Sequence, residues 1–365
     1  MGVPVLALLL FQTLLGSDAA SLSAARLTAE NPSASVADRS TAYERLIQSN
    51  SSDAALYIGY ASLLIDNRDY EKALTWIGRG LGVARSDKAL LLRNAIALHA
   101  LNQHEASLKI LTALPASAES RFYMGLNCRS LGNHKCAQQY LGEAWDLGLR
   151  DPYALYSLIE EDHALSDKAS GLQHFRLLAA EFPGSPWLHV LYANAYAQKE
   201  ADAEARNEYR EALRLKPDLT AVNFRLGFLF YKDGDYSSAV EYFRKELALN
   251  PSYSDANLFL GQTLRNLGKD EEAIAHLRKA IAFDSRSELA YKALVAALSD
   301  KGDLDGAMES LRLAEKEFPS DPSFPAQLAS VLNRLNREDE ALKEMEKYRA
   351  LKKAGQNPAK PVETK

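Results

Sequence analysis

Cysteine is scarce: the 365-residue chain has two, Cys128 and Cys136, too few for a disulfide framework. Excess positive charge is also missing. The net charge is −5 and no long basic run precedes the C-terminus, which argues against a phosphate-binding surface and a nucleic-acid partner. Catalytic signatures are absent as well. No Gly-x-Ser-x-Gly nucleophile turn occurs. The seven histidines, His99, His104, His134, His163, His174, His189 and His276, never adopt the four-residue spacing that puts two imidazoles on one helix face beside a glutamate. Gly78-x-Gly80-x-Gly82 has no strand before it and falls where a helix is expected, so it reads as local helix weakening rather than a phosphate loop. Glu160-Glu161-Asp162 is an acidic cluster at a helix end with no evident acid–base partner. Neither a catalytic constellation, a metal site nor a cofactor is expected.

The longest apolar run, Val3 to Leu15, is thirteen residues, too short to span a bilayer. Small residues follow it, Gly16-Ser17-Asp18-Ala19-Ala20-Ser21, and residues 1–20 read as a secretory signal that would leave no transmembrane span once removed. No Lys or Arg precedes the run, and a buried N-terminal helix is the alternative. A cleaved leader implies a periplasmic or secreted protein, and a retained one a cytoplasmic protein.

What the chain has in abundance is repetition. Gly171, Ala205, Ala239, Ala273, Ala307 and Ala341 are each thirty-four residues apart, and Pro183, Pro217 and Pro251 keep the same interval. Nine units follow, at 54–87, 88–117, 118–151, 152–185, 186–219, 220–253, 254–287, 288–321 and 322–355. In unit 220–253, Phe224, Leu226 and Phe230 have helical spacing, Gly234-Asp235 breaks the helix, and a second amphipathic stretch ends at Asn250-Pro251. The eighth residue is small in most units (Ala61, Ala95, Gly125, Ala193, Gly227, Gly261, Ala329) and so is the twentieth, which lets two antiparallel helices approach closely. The fifteenth, between the helices, is Gly132, Gly234, Gly268 or Gly302, with Asn102 and Asn336 as the next-best residue for a left-handed backbone. Departures are specific: the second unit is four residues short, the fourth has Ile159 and Gly171 at its small positions, and Glu246 and Tyr348 stand where a small residue is usual. Residues 21–53 read as a flexible segment over 21–39 followed by a capping helix over Ser40 to Asn50, with Tyr43, Leu46 and Ile47 covering the first unit. Residues 356–365 have the composition of a disordered tail.

Leu226-Gly227, Tyr236, Ala239, Phe243 and Pro251, largely repeated by Leu260-Gly261, Ala273, Leu277 and Ala280, resemble the tetratricopeptide repeat. The resemblance implies an all-α fold, a right-handed α-solenoid of about nine helix pairs, and a non-catalytic module that binds a protein or peptide on its concave face. The wall carried by positions two, five, nine and twelve includes Phe122, Leu126, Tyr153, Tyr156, Trp187, Val190, Phe224, Phe228 and Tyr231, with Trp187, Tyr156 and Tyr231 expected furthest from the seam between repeats. Packing between repeats is the other use for the same positions. In later units they hold Asp255, Gln262, Arg265, Lys292, Ser299 and Asn333, a polar wall that reads as a solvated face. The family's clamp for acidic chain termini is not supplied, since only Asn194 and Arg225 approach it. A structural subunit of an envelope or secretion complex, using its edges rather than its groove, is the alternative. Cys128 and Cys136 fall on opposite arms of one hairpin near Gly132, close enough for a disulfide in an oxidising compartment. In a reducing compartment they are a small core residue and a half-exposed thiol.

Overall fold

A computed structural model describes residues 20–356 of the chain. Of the expected leader over 1–20 and the expected tail over 356–365, residues 1–19 and 357–365 lie outside the described residues. The described chain is all helix and turn, and it divides into two compact units at Pro183 and Gly184.

The first unit begins with α1 (residues 20–30) and α2 (Val36–Ser49). Four pairs follow: α3 (Ala54–Asp66) with α4 (Tyr70–Val83), α5 (Lys88–Ala100) with α6 (His104–Ala113), α7 (Ala118–Ser130) with α8 (His134–Asp146), and α9 (Pro152–Ala164) with α10 (Lys168–Glu181). The second unit has five: α11 (Pro186–Gln198) with α12 (Asp202–Leu215), α13 (Val222–Lys232) with α14 (Tyr236–Leu249), α15 (Ser254–Asn266) with α16 (Asp270–Phe283), α17 (Glu288–Lys301) with α18 (Leu304–Glu317), and α19 (Ser323–Arg334) with α20 (Glu338–Gln356). From α2 to α10 and from α11 to α20, each helix packs on the next.

Why the chain pairs in this way is visible at three positions of the repeat. A Cβ on Gly125 would lie 2.6 Å from Leu141, and one on Gly261 2.6 Å from Leu277. The eighth residue is thus the seat for the large twenty-fourth residue of the partner helix, and the space is already full. The fifteenth residue is left-handed in every pair. Besides the glycines and asparagines, Arg68 (φ 62°), Ser166 (φ 58°) and Glu200 (φ 59°) adopt it. Immediately after it, Asp69, Asn133, Asp167, Asp235 and Asp303 cap the second helix, their side chains accepting from backbone N–H groups in its first turn. Gln103, Ala201 and Lys269 occupy the same place and provide no side-chain cap.

The four missing residues of the second unit come out of its second helix. α6 has 10 residues against 14 in α4. Four residues are close to one helical turn, so the helix is shortened without rotating its buried face.

Composition suggested a flexible segment over 21–39, but α1 runs through residue 30. Ala25 and Ala29 are buried in it, and Arg39 Nε donates to the Ala29 carbonyl at 3.1 Å. Alanine is both the best helix former and small enough for close helix contact, so the composition that looked unstructured packs instead. α2 lays Tyr43, Leu46 and Ile47 into the core shared with α3, with Tyr43 stacked on Tyr60 at 5.5 Å.

Candidate functional site

In the first unit, α7 and α9 bring Phe122 and Tyr153 edge to face at 6.1 Å, and Tyr153 stacks with Tyr156 at 6.1 Å. Phe122, Leu126 and Tyr156 are nonetheless buried, only 7–8% exposed, and Tyr153 is half-buried. Tyr156 therefore does not stand away from the packing, contrary to the expectation from its position. Val190 in the second unit is likewise buried, at 1% exposure. At these four positions the neighbouring helix covers the side chain, because positions five and nine border both the wall and the seam between pairs.

The second unit holds the more accessible part. Trp187, Phe224, Phe228 and Tyr231 are half-buried. On α13 the rings of Phe224, Phe228 and Tyr231 follow one another at 6.3 Å, and Phe259 of α15 touches all three, at 5.8, 5.0 and 5.6 Å. Phe259 lies at position six, outside the four wall positions, yet it is the hub of the cluster. The only signal for it in the sequence is an aromatic residue on the helix flank next to a wall position. Tyr253 packs tilted against Phe224 at 5.1 Å, and burial pushes its phenol up to about 12.

Polar residues bound this surface, and most are already paired. Tyr231 donates its hydroxyl to Gln262 Oε1 at 3.3 Å. Asn194 Oδ1 accepts from both Tyr209 and Arg225 at 2.6 Å, so the fragment of an acid-terminus clamp is bonded to itself. Arg265 pairs with Asp300 at 2.6 Å, and Lys292 pairs with Glu288 and, at 3.8 Å, with Asp321. Asp255 and Asn333 are exposed, while Ser299 is half-buried. Arg265 and Lys292 on these later first helices are thus compensated locally.

The residues weighed for chemistry also have places. Gly78, Gly80 and Gly82 all lie inside α4. His99 and His104 face each other at 5.3 Å and both direct Nδ1 at Asn127 Oδ1, at 2.9 and 3.2 Å. An amide oxygen only accepts, so both imidazoles donate through Nδ1. Burial lowers the pKa of His99. Glu161 and Asp162, without evident partners in the sequence, are buried and fully engaged. Glu161 meets His134 at 2.7 Å and Arg129 at 3.2 Å, and Asp162 meets His174 and Gln138, both at 2.7 Å. These partners come from neighbouring helices and serve to satisfy two buried carboxylates. Among the described residues, no group of three or more His, Cys, Asp or Glu side chains is placed to hold a metal ion. Cys128, buried on α7, and Cys136 on α8 are joined in a disulfide with a Cα–Cα separation of 5.6 Å.

Stacked hairpins with a left-handed fifteenth residue and a glycine or alanine seat define an α-solenoid of the repeat-scaffold class. Family models match within the second unit: "Tetratricopeptide repeat" over residues 224–288 and "TPR repeat" over residues 193–234. Residues 193–288 are thus similar to tetratricopeptide repeats, and such repeats support a protein-interaction role. No curated protein matches it in sequence. Solved structures with similar folds include "Crystal structure of MamA protein", 20% identical, with a TM-score of 0.45 over 48% of this chain and 97% of that one. Another is "MamA 41-end from Desulfovibrio magneticus RS-1", 21% identical, with a TM-score of 0.43 over 46% of this chain and 96% of that one.

Proposed function

We propose that the chain is an exported interaction scaffold that holds an extended segment or helix of a partner protein against α13 and α15. The observation that carries this reading is the contiguous cluster of half-buried rings, Phe224, Phe228, Tyr231 and Phe259. Large aromatic side chains left partly in water bury much area on binding at little entropy cost, and they dominate interface energies. Locally compensated charges around them favour a partner selected by shape and apolar contact over one selected by net charge. The Cys128–Cys136 disulfide supports export, since such bonds persist in oxidising compartments.

The test is partner recovery from native extract by the tagged full-length chain. Phe228→Ala and Tyr231→Ala are expected to reduce recovery at least tenfold, with circular dichroism unchanged. Unchanged recovery would refute this wall as the binding surface. An assembly role through the edges is the second reading, and α10 favours it: Leu172 is 51% exposed there, beside Ala169, Arg176 and Leu177. Under that reading Leu172→Glu, not the aromatic substitutions, abolishes recovery.

A further inference from the structure

A cleft of ≈ 430 Å³ opens between α12 and α14, the second helices of two successive pairs, away from the aromatic wall. Its origin is a local break in the repeat. Position twenty-seven of this pair is Glu246, where the next pair has Ala280. The Glu246 carboxylate is fully buried and accepts from the Ala221 N–H at 2.8 Å and the Phe224 N–H at 3.4 Å. Ala221 is held left-handed at φ 67°, and α13 begins at Val222, whereas α15 begins at Ser254, the register of Thr220. The first turn of α13 is therefore undone, and the space beside it is the cleft.

The floor of the cleft is Asn223, 3% exposed. Its counterpart one repeat later, Asn257, is fully employed. Asn257 Nδ2 donates to the Pro251 and Tyr253 carbonyls at 3.3 and 3.1 Å, and its Oδ1 accepts from His276 at 3.0 Å. Tyr242 stands in the register of His276, but its ring is stacked on Phe230 at 5.5 Å. Among the described residues the Asn223 side chain makes no hydrogen bond, and its amide opens onto the cleft.

Three cations rim the opening: Arg210, Arg214 and Lys245. Arg214 is paired with Glu211 and Lys245 with Glu241, each at 2.6 Å. Among the described residues Arg210 has no carboxylate partner and rests only on the Phe230 ring at 5.4 Å. The remaining wall is apolar: Leu213, Pro217 and Leu249. A guanidinium without a carboxylate partner, an amide open to the cleft and an apolar wall together match an anionic head with a hydrocarbon body.

We propose that this cleft binds an organic oxyanion, a carboxylate or a phosphate monoester with a small apolar body. Arg210 and Asn223 hold the oxyanion, and Leu213, Pro217 and Leu249 cover the body. The site is independent of the aromatic wall and does not rest on the partner reading above.

The experiment is an NMR titration of the full-length chain with phenylphosphate, benzoate and inorganic phosphate, following the Asn223 side-chain amide. Phenylphosphate, benzoate or both are expected to give saturating shifts, and whichever binds identifies the anion. Arg210→Ala is expected to weaken that binding at least tenfold. Asn223→Leu places the leucine of Leu91 and Leu155 at this register and is expected to remove binding while preserving helix content. Shifts that never saturate, or an Arg210→Ala titration equal to wild type, would overturn the site. Inorganic phosphate binding as tightly as phenylphosphate would overturn the apolar half of the recognition.

Discussion

Glu200 and Ala201 occupy the turn of the fifth pair, where the sixth and eighth have Gly234-Asp235 and Gly302-Asp303. Glu200 sits at φ 59°, a conformation that costs an L-residue with a Cβ about 1–2 kcal/mol, and Ala201 leaves α12 without a side-chain cap. Glu200→Gly with Ala201→Asp is therefore expected to stabilise the chain by about 1–3 kcal/mol, read as a higher denaturation midpoint. The converse change is Gly261→Ala, whose Cβ would lie 2.6 Å from Leu277. Overpacking of that kind is expected to destabilise by about 1–3 kcal/mol. Glu246 gives a residue-scale pH dependence. Burial raises its carboxyl above the usual carboxylate range, so folding favours the protonated form. Its contribution is fully present below the ordinary carboxylate pKa and is lost as pH rises through the raised value. Wild type minus Glu246→Gln stability, measured by denaturation at several pH values, is expected to be most favourable at the acid end; a flat difference would contradict this.

Elements explain which of these features could be read in advance. Pairs, turns and seats are legible in the sequence because each depends on residues within one thirty-four-residue period: Gly227 and Phe243, or Gly302 and Asp303. Arg68, Ser166 and Glu200 hide the same turn, since tertiary packing on both sides fixes a backbone that their own preferences oppose. The wall is legible only as a face. Phe122, Leu126, Tyr156 and Val190 have the right register, but whether the next helix covers a side chain depends on the size of residues one repeat away. The polar partners of Glu161 and Asp162 lie 12 to 32 residues away along the chain, beyond any local motif. The α7–α8 hairpin also carries its own prediction. Its disulfide closes a short loop and is expected to contribute about 2–3 kcal/mol, so reduction should raise hydrogen exchange in α7 and α8 ahead of α17 and α18.

For the whole molecule, each helix contacts chiefly its immediate neighbours, so stability is close to a sum of pair and interface terms within each unit. The N-terminal boundary is a matter for direct measurement. Mass spectrometry of the chain from fractionated native cells is expected to find a mature start near Ser21 in an exported fraction, whereas an intact Met1 in the cytosol would refute export. The shortened α6 bears on how such a chain tolerates changes in length. Each residue added to or removed from a helix turns everything beyond it by about 100° about the axis, so losses of one or two residues point the core stripe at solvent. Losses of four restore the heading to within about 40°. Length variation in the second helices should therefore come in steps of a turn, and a four-residue deletion like the one in α6 is a survivable edit where a two-residue deletion is not.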